Sequence, residues 1–141
     1  MIIKQLSIFL EDKTGRLTEI TRILAENNIN MTAFSIADAS DYGILRIVVN
    51  KPDEALKILK ENRFSVNTTD VIALVVPNQP GGLHKALDIL SSNNVSIDYM
   101  YAFGLENSAS VVIRSSSTKQ AIEVLQQHKM ELISSSQIYK I

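Results

Sequence analysis

The sequence predicts an α+β fold built from two tandem copies of one small module, residues 1–69 and 70–141, and three observations carry that prediction. Residues 5–75 align with residues 71–141 at a constant offset of 66 without a gap, which is the mark of an internal duplication. Within each copy, apolar residues alternate over short runs and then recur at three- and four-residue spacing, the change of period that separates strand from helix. Finally, no linker divides the copies. Thr68-Thr69-Asp70 leads directly into Val71-Ile72-Ala73-Leu74-Val75-Val76, so the last strand of the first copy is expected to run on into the first strand of the second. Identities between the copies are few but fall at turns and on helix faces. Gly15 matches Gly81, Leu17 matches Leu83, Ile23-Leu24 matches Ile89-Leu90, and Asn27-Asn28 matches Asn93-Asn94. Ile47, Ala55 and Leu59 meet Ile113, Ala121 and Leu125. A module this small buries only about 60% of its unfolded surface, so each copy is expected to share an interface with the other, and a larger oligomer would add to it.

The first copy opens on a strand in which Leu6, Ile8 and Leu10 alternate with Gln5, Ser7 and Phe9. The polar stretch Glu11 to Thr14 reaches Gly15, and Leu17, Ile20, Ile23, Leu24 and Ala25 then mark one face of a helix. Asn27-Asn28 ends it, because asparagine tolerates the left-handed conformation of helix ends. Strands over 31–37 and 44–49 follow, separated by the turn Ala39-Ser40-Asp41-Tyr42-Gly43. Pro52 suits a helix first turn, and Ala55, Ile58 and Leu59 give that helix its apolar face. Residues 64–69 read as a closing strand. The second copy repeats the order, with strands over 71–76, 97–103, 110–114 and 131–139 and helices over 83–90 and 119–127. Strand, helix, strand, strand, helix, strand is the split βαβ, or ferredoxin-like, sandwich: helices on one face of an antiparallel sheet.

Composition narrows the function classes. Cysteine is absent and the net charge is −1, so disulfides, thiolate metal sites and thiol nucleophiles are excluded, and there is no basic stripe for nucleic acid. Lys4, Gln5 and Ser7 interrupt the N-terminal apolar stretch, unlike a signal peptide, and no apolar run approaches the roughly 20 residues of a membrane span. The expectation is a cytoplasmic protein with no membrane and no nucleic-acid partner.

The informative motif follows the first strand of each copy: Asp12-Lys13-Thr14-Gly15-Arg16-Leu17 in one, Asn78-Gln79-Pro80-Gly81-Gly82-Leu83 in the other. Each is a polar loop, a glycine, one residue, then leucine opening a helix. Glycine admits a sharp turn and the approach of a ligand. The amides and dipole at a helix start favour an anion such as a carboxylate. Strand–glycine–helix turns also occur where nothing binds. Lys13 and Arg16 sit against the dipole, where an anionic ligand or the nearby Glu11, Asp12 and Glu19 would offset them. A second element follows the helix, Asn30 in Asn27-Asn28-Ile29-Asn30 and Ser96 in Asn93-Asn94-Val95-Ser96. Both are suited to hydrogen-bond an amino or carboxylate group, or to serve as turn residues.

These two elements, together with Ala25-Glu26-Asn27-Asn28-Ile29-Asn30, resemble the signature of the ACT domain, a small-molecule sensing module of amino-acid metabolism. The resemblance covers both copies. It implies a regulatory protein, not an enzyme, with an amino acid held between modules, at the glycine loop of one and the strand-2 region of its neighbour. On this sequence that site comprises Asp12, Lys13, Thr14, Gly15, Arg16, Leu17 and Asn30 in the first copy. In the second it comprises Asn78, Gln79, Pro80, Gly81, Gly82, Leu83 and Ser96, with His84 beside them. It also implies a homodimer, or interaction with an enzyme of amino-acid metabolism, and no metal or cofactor. The copies depart from the pattern at different places. Thr14 stands where proline is frequent and Ser96 where asparagine is.

Other classes fit less well. His84 with Asp88 one helical turn on is a possible metal or proton pair, though a surface pair is the commoner meaning of that spacing. No nucleophile elbow, phosphate loop or zinc spacing is present. Tyr99, Tyr101 and Phe103 alternate onto one strand face, as in RNA-binding relatives of this topology, but the accompanying basic and glycine pattern is missing. A ligand-free structural or protein-interaction role is the alternative reading.

Overall fold

The computed structural model describes residues 1–11, 13–38 and 41–140, without the side chains of Lys13 and Leu105. Asp12, the Ala39-Ser40 part of the expected turn, and Ile141 lie outside the described residues. The elements in chain order are β1 (Ile3–Leu10), α1 (Lys13–Glu26), β2 (Met31–Asp38), β3 (Gly43–Val49), α2 (Pro52–Glu61), β4 (Ser65–Pro77), α3 (Gly82–Ser92), β5 (Ile97–Leu105), β6 (Ser108–Ser115), α4 (Thr118–Gln127), β7 (Glu131–Leu132) and α5 (Ser135–Tyr139). The fold is a duplicated ferredoxin-like α+β pair. β4 is a single 13-residue strand, as the absence of a linker implied.

The chain divides into two compact units. The first comprises Lys4–Thr69 and the segment from Ser136 onward; the second comprises Asp70–Ser135 and Met1–Ile3. In the first unit the strand order is β2-β3-β1-β4, and in the second β5-β6-β4-β7. The pairing registers superpose at the offset of 66. Leu6 faces Ile47 and Ile8 faces Leu45, while Ile72 faces Ile113 and Leu74 faces Val111. The repeat extends to an irregularity, a register shift between Met31 and Ala33 matched by one between Ile97 and Tyr99. Asn28 and Asn94, with φ of 56° and 58°, both take the left-handed conformation that ends their helices. The side chains of Asn27 and Asn93 bond the carbonyls four residues back, each at 2.8 Å.

Each core forms between the helices and one face of the strands. In the first unit Leu6, Ile8, Leu10, Leu45, Ile47, Val49 and Val66 meet Ile20, Ile23, Leu24, Ala55 and Leu59, with Leu17 packed at the edge. In the second Ile72, Leu74, Val76, Val111 and Ile113 meet Ala86, Ile89, Leu90, Ala121, Val124 and Leu125, with Leu83 at the edge. Burying each large aliphatic side chain contributes about 1.5–3 kcal/mol before conformational entropy is subtracted.

Two local expectations are corrected. The strand expected over 131–139 is β7 alone, pairing Glu131 and Leu132 with Val75 and Leu74. The chain then turns into α5. Ser134-Ser135-Ser136 suits a helix start more than a strand, and Ile138 is the buried residue of that helix. In addition α1 begins at Lys13, taking Thr14 and Gly15 into its first turn, whereas α3 begins only at Gly82. Pro80, matched to Thr14, accounts for part of the difference, since a proline disfavours helical backbone at the residue before it.

Candidate functional site

The second-copy loop is shaped by its own backbone. Gln79 N–H donates to the Pro77 carbonyl at 2.9 Å and Gly82 N–H to the Gln79 carbonyl at 3.0 Å. Gly81, the residue that caps α3, has φ of 87°, a left-handed value that only glycine adopts without strain. At Gly82 a Cβ would overlap the Pro77 carbonyl oxygen and lie 3.1 Å from the carbonyl carbon, so this position excludes any side chain. The cap makes no side-chain hydrogen bond, so among the first-turn amides it is the backbone turn that supplies a partner, for Gly82 N–H.

A hollow of about 440 Å³ opens beside this loop. Gln79, Pro80, Gly81 and Gly82 line it. Its other walls come from Val75 and Pro77 at the end of β4, Lys85 of α3, and Lys129, Met130 and Glu131 between α4 and β7. Asn78, Leu83 and His84 do not line it. The Asn78 side chain donates to the Glu106 carbonyl at 3.0 Å, and its backbone N–H to the Asn107 carbonyl, also at 3.0 Å. It anchors the β5–β6 hairpin, next to a glycine, Gly104, whose missing Cβ makes room for it. Leu83 packs against the core. His84 and Asp88 are both exposed, and among the described residues no group of His, Cys, Asp and Glu is disposed to hold a metal ion.

The first-copy loop is arranged differently. Thr14 and Gly15 are exposed, with open space around the Gly15 α-carbon. Arg16 is engaged within its own unit. It pairs with Glu19 at 3.0 Å and lies 3.8 Å over the Phe64 ring. Glu19 is thus placed to offset its charge at the helix start. Leu17 packs against the core.

Asn30 and Ser96 are not near their own loops. The β1–β3 register sets Leu10 opposite Gly43, and the β2–β3 register sets Met31 opposite Val49. Asn30 thus sits at the far end of β3, about 20 Å from the loop at the strand rise of 3.4 Å per residue. There it is clamped. Its N–H donates to Asn50 Oδ1 at 2.9 Å, and Asn50 N–H returns a bond to its carbonyl at 3.1 Å. Ser96 and Ser116 repeat the clamp at 3.1 and 2.9 Å. A second hollow, about 320 Å³, lies at Asn30, Asn50 and the end of α1.

Sequence reasoning missed Lys85, Lys129, Met130, Glu131 and the clamp residues Asn50 and Ser116. The repeat held a signal for some of them, because Glu19 is replaced by Lys85 and Asn30–Asn50 by Ser96–Ser116 at matched positions. The aromatics Tyr99, Tyr101 and Phe103 face Arg114, Val112 and Ser110 across β5 and β6. They lie on the face away from the helices, with Phe103 71% exposed. No helix among the described residues is long and apolar enough to cross a membrane.

Comparison with known proteins agrees with this architecture. The family described as the ACT domain pair matches residues 1–141. The crystal structure of a protein from Bacteroides thetaiotaomicron is 52% identical, covers 100% of this chain and 98% of its own, and superposes with a TM-score of 0.96. The ligand-free regulatory subunit of aspartate kinase from Thermus thermophilus shares the fold at 18% identity, with 88% and 91% of the two chains covered and a TM-score of 0.65. The corresponding subunit from Thermus flavus gives 18% identity, 88% and 90% coverage, and a TM-score of 0.63. None of the curated proteins matches the chain in sequence. With a duplicated βαββαβ fold, a glycine loop in each copy and a family match along its whole length, the chain belongs to the ACT domain pair family.

Proposed function

We propose that this ACT domain pair is a regulatory module that binds an amino acid beside the second-copy glycine loop. The observation that carries the reading is the hollow at Gly81-Gly82, which combines cationic side chains, a carboxylate and an apolar wall within about 440 Å³. Volumes of roughly 300–1,000 Å³ suit small ligands, and an amino acid needs acceptors and donors on opposite sides of one small site. The strand-2 segments bearing Asn30 and Ser96 would reach such a loop from a second copy of the chain, which favours a homodimer. In this reading the chain catalyses nothing. It works in the cytoplasm, and its output passes through assembly or through an enzyme of amino-acid metabolism.

Thermal-shift measurement with the common amino acids tests the proposal. A specific ligand stabilises the folded state by RT ln(1 + [L]/Kd), about 2.7 kcal/mol at a hundredfold excess over Kd. That raises Tm by several degrees for a protein of this size. Unchanged Tm with every amino acid at millimolar concentration would refute the reading and leave a ligand-free structural module.

A further inference from the structure

Resting on that reading, we propose that the second-copy hollow selects an acidic amino acid, and that the matching hollow in the first copy is closed by the chain's own Arg16. The offset of 66 makes the two loops a controlled comparison. Gly82, Lys85 and Met130 stand where Arg16, Glu19 and Phe64 stand in the first copy. There the Arg16 guanidinium spans from the first turn of α1 to the Phe64 ring, 3.8 Å away, and is held by Glu19 at 3.0 Å. Phe64 is left 4% exposed. In the second copy none of these three groups is present. Gly82 has no side chain and cannot carry one, because a Cβ would overlap the Pro77 carbonyl oxygen. Met130 is only half-buried, and the space remains open.

Charge identifies the ligand class. Lys85 and Lys129 are exposed and have no ion pair among the described residues, and Glu131 is the remaining charged group of the wall. Two ammonium groups and one carboxylate complement a molecule with two carboxylates and one ammonium. A neutral amino acid leaves one lysine unmatched, and a basic one brings a further cation to a site that already holds two. The apolar surface of Val75 and Met130 suits the short methylene chain between the acidic groups. The first copy has the charge reversed at the Lys85 position, and Ser65 in place of Glu131. It lacks a carboxylate at the Glu131 position, and its Glu19 is already paired with Arg16.

Isothermal titration calorimetry on the full chain at low ionic strength, with aspartate, glutamate, asparagine, glutamine and lysine as probes, tests both parts. We expect one site per chain, with an acidic amino acid binding at least about fivefold tighter than its amide. Lys85→Gln and Lys129→Asn should each weaken it about fivefold, the scale of one exposed charge contact. Affinity should also fall as salt is added. Asparagine is chosen at 129 because it tolerates the left-handed φ of 59° found there, and an unchanged Tm for each variant establishes folding. Amides binding as tightly as acids, or lysine variants with intact Tm and unchanged affinity, would overturn the acidic-ligand proposal while leaving amino-acid binding standing. Two equal sites per chain would overturn the closure by Arg16. No binding by any amino acid would remove the underlying reading as well.

Discussion

Replacing each of three loop glycines, Gly15, Gly81 and Gly82, with alanine should give three different outcomes, although the loops that hold them are related by duplication. At Gly82 a Cβ overlaps the Pro77 carbonyl oxygen, and Pro77 is backbone that cannot rotate away. Either β4 or the first turn of α3 must shift, and overpacking of this kind costs about 1–3 kcal/mol. At Gly81 no atom lies within 4 Å of the added carbon, but φ is 87°. Here the cost is conformational, about 1–2 kcal/mol for an L-residue held in the left-handed region. At Gly15 the space is equally open and α1 already includes the residue. Alanine there should stabilise by about 0.4–1 kcal/mol through the entropy of the unfolded chain. Each kcal/mol moves Tm by about 4–8 °C in a unit of this size, so the order Gly15→Ala above wild type above Gly81→Ala and Gly82→Ala is resolvable by calorimetry or circular dichroism melts. A Gly82→Ala variant as stable as wild type would refute the close-approach argument. A Gly15→Ala variant as destabilised as Gly81→Ala would refute the claim that the two loops differ in backbone conformation.

Two further substitutions test the packing. Leu59→Ala and Leu125→Ala remove matched, fully buried side chains from the two cores and should each cost about 2–5 kcal/mol, read as a fall in urea midpoint. Asn78→Ala removes the bond to the Glu106 carbonyl and should cost about 0.5–1.5 kcal/mol. Hydrogen exchange should quicken at the β5–β6 hairpin while ligand affinity changes little, unlike the response of a residue in the hollow.

The order of most elements and the boundaries of most strands were legible because they rest on local period and on the repeat, both of which this sequence displays. The candidate site was legible only where it is contiguous. Gln79 to Gly82 form one loop, and their turn chemistry announces them. Lys129, Met130 and Glu131 lie far along the chain and reach the hollow only because α4 returns to the loop end and β7 pairs beside Val75. No spacing rule connects them to Gly81. Asn78 illustrates the opposite difficulty. In the polar loop before Gly81 it reads as a ligand contact, while its hydrogen bond to a hairpin carbonyl follows from the fold and has no signal in the local sequence. Arg16 combined both problems, since its charge was visible but the Phe64 ring beneath it was not. The final strand was expected too long, and α5 was not foreseen, because Ile133 and Ile138 are apolar in either conformation and the choice fell to the three serines between them.

The allotment of the chain's two ends has a consequence for how the molecule is made. The unit that contains most of the first copy includes the segment from Ser136 onward, and the Lys4 amide donates to the Tyr139 hydroxyl at 2.9 Å. During vectorial synthesis, at about 5–20 residues per second, the first copy emerges from the ribosome several seconds before the residues that complete it. The second copy, whose N-terminal contribution is Met1–Ile3, has all its parts available as soon as Ser135 emerges. The half translated last is therefore not the half completed last.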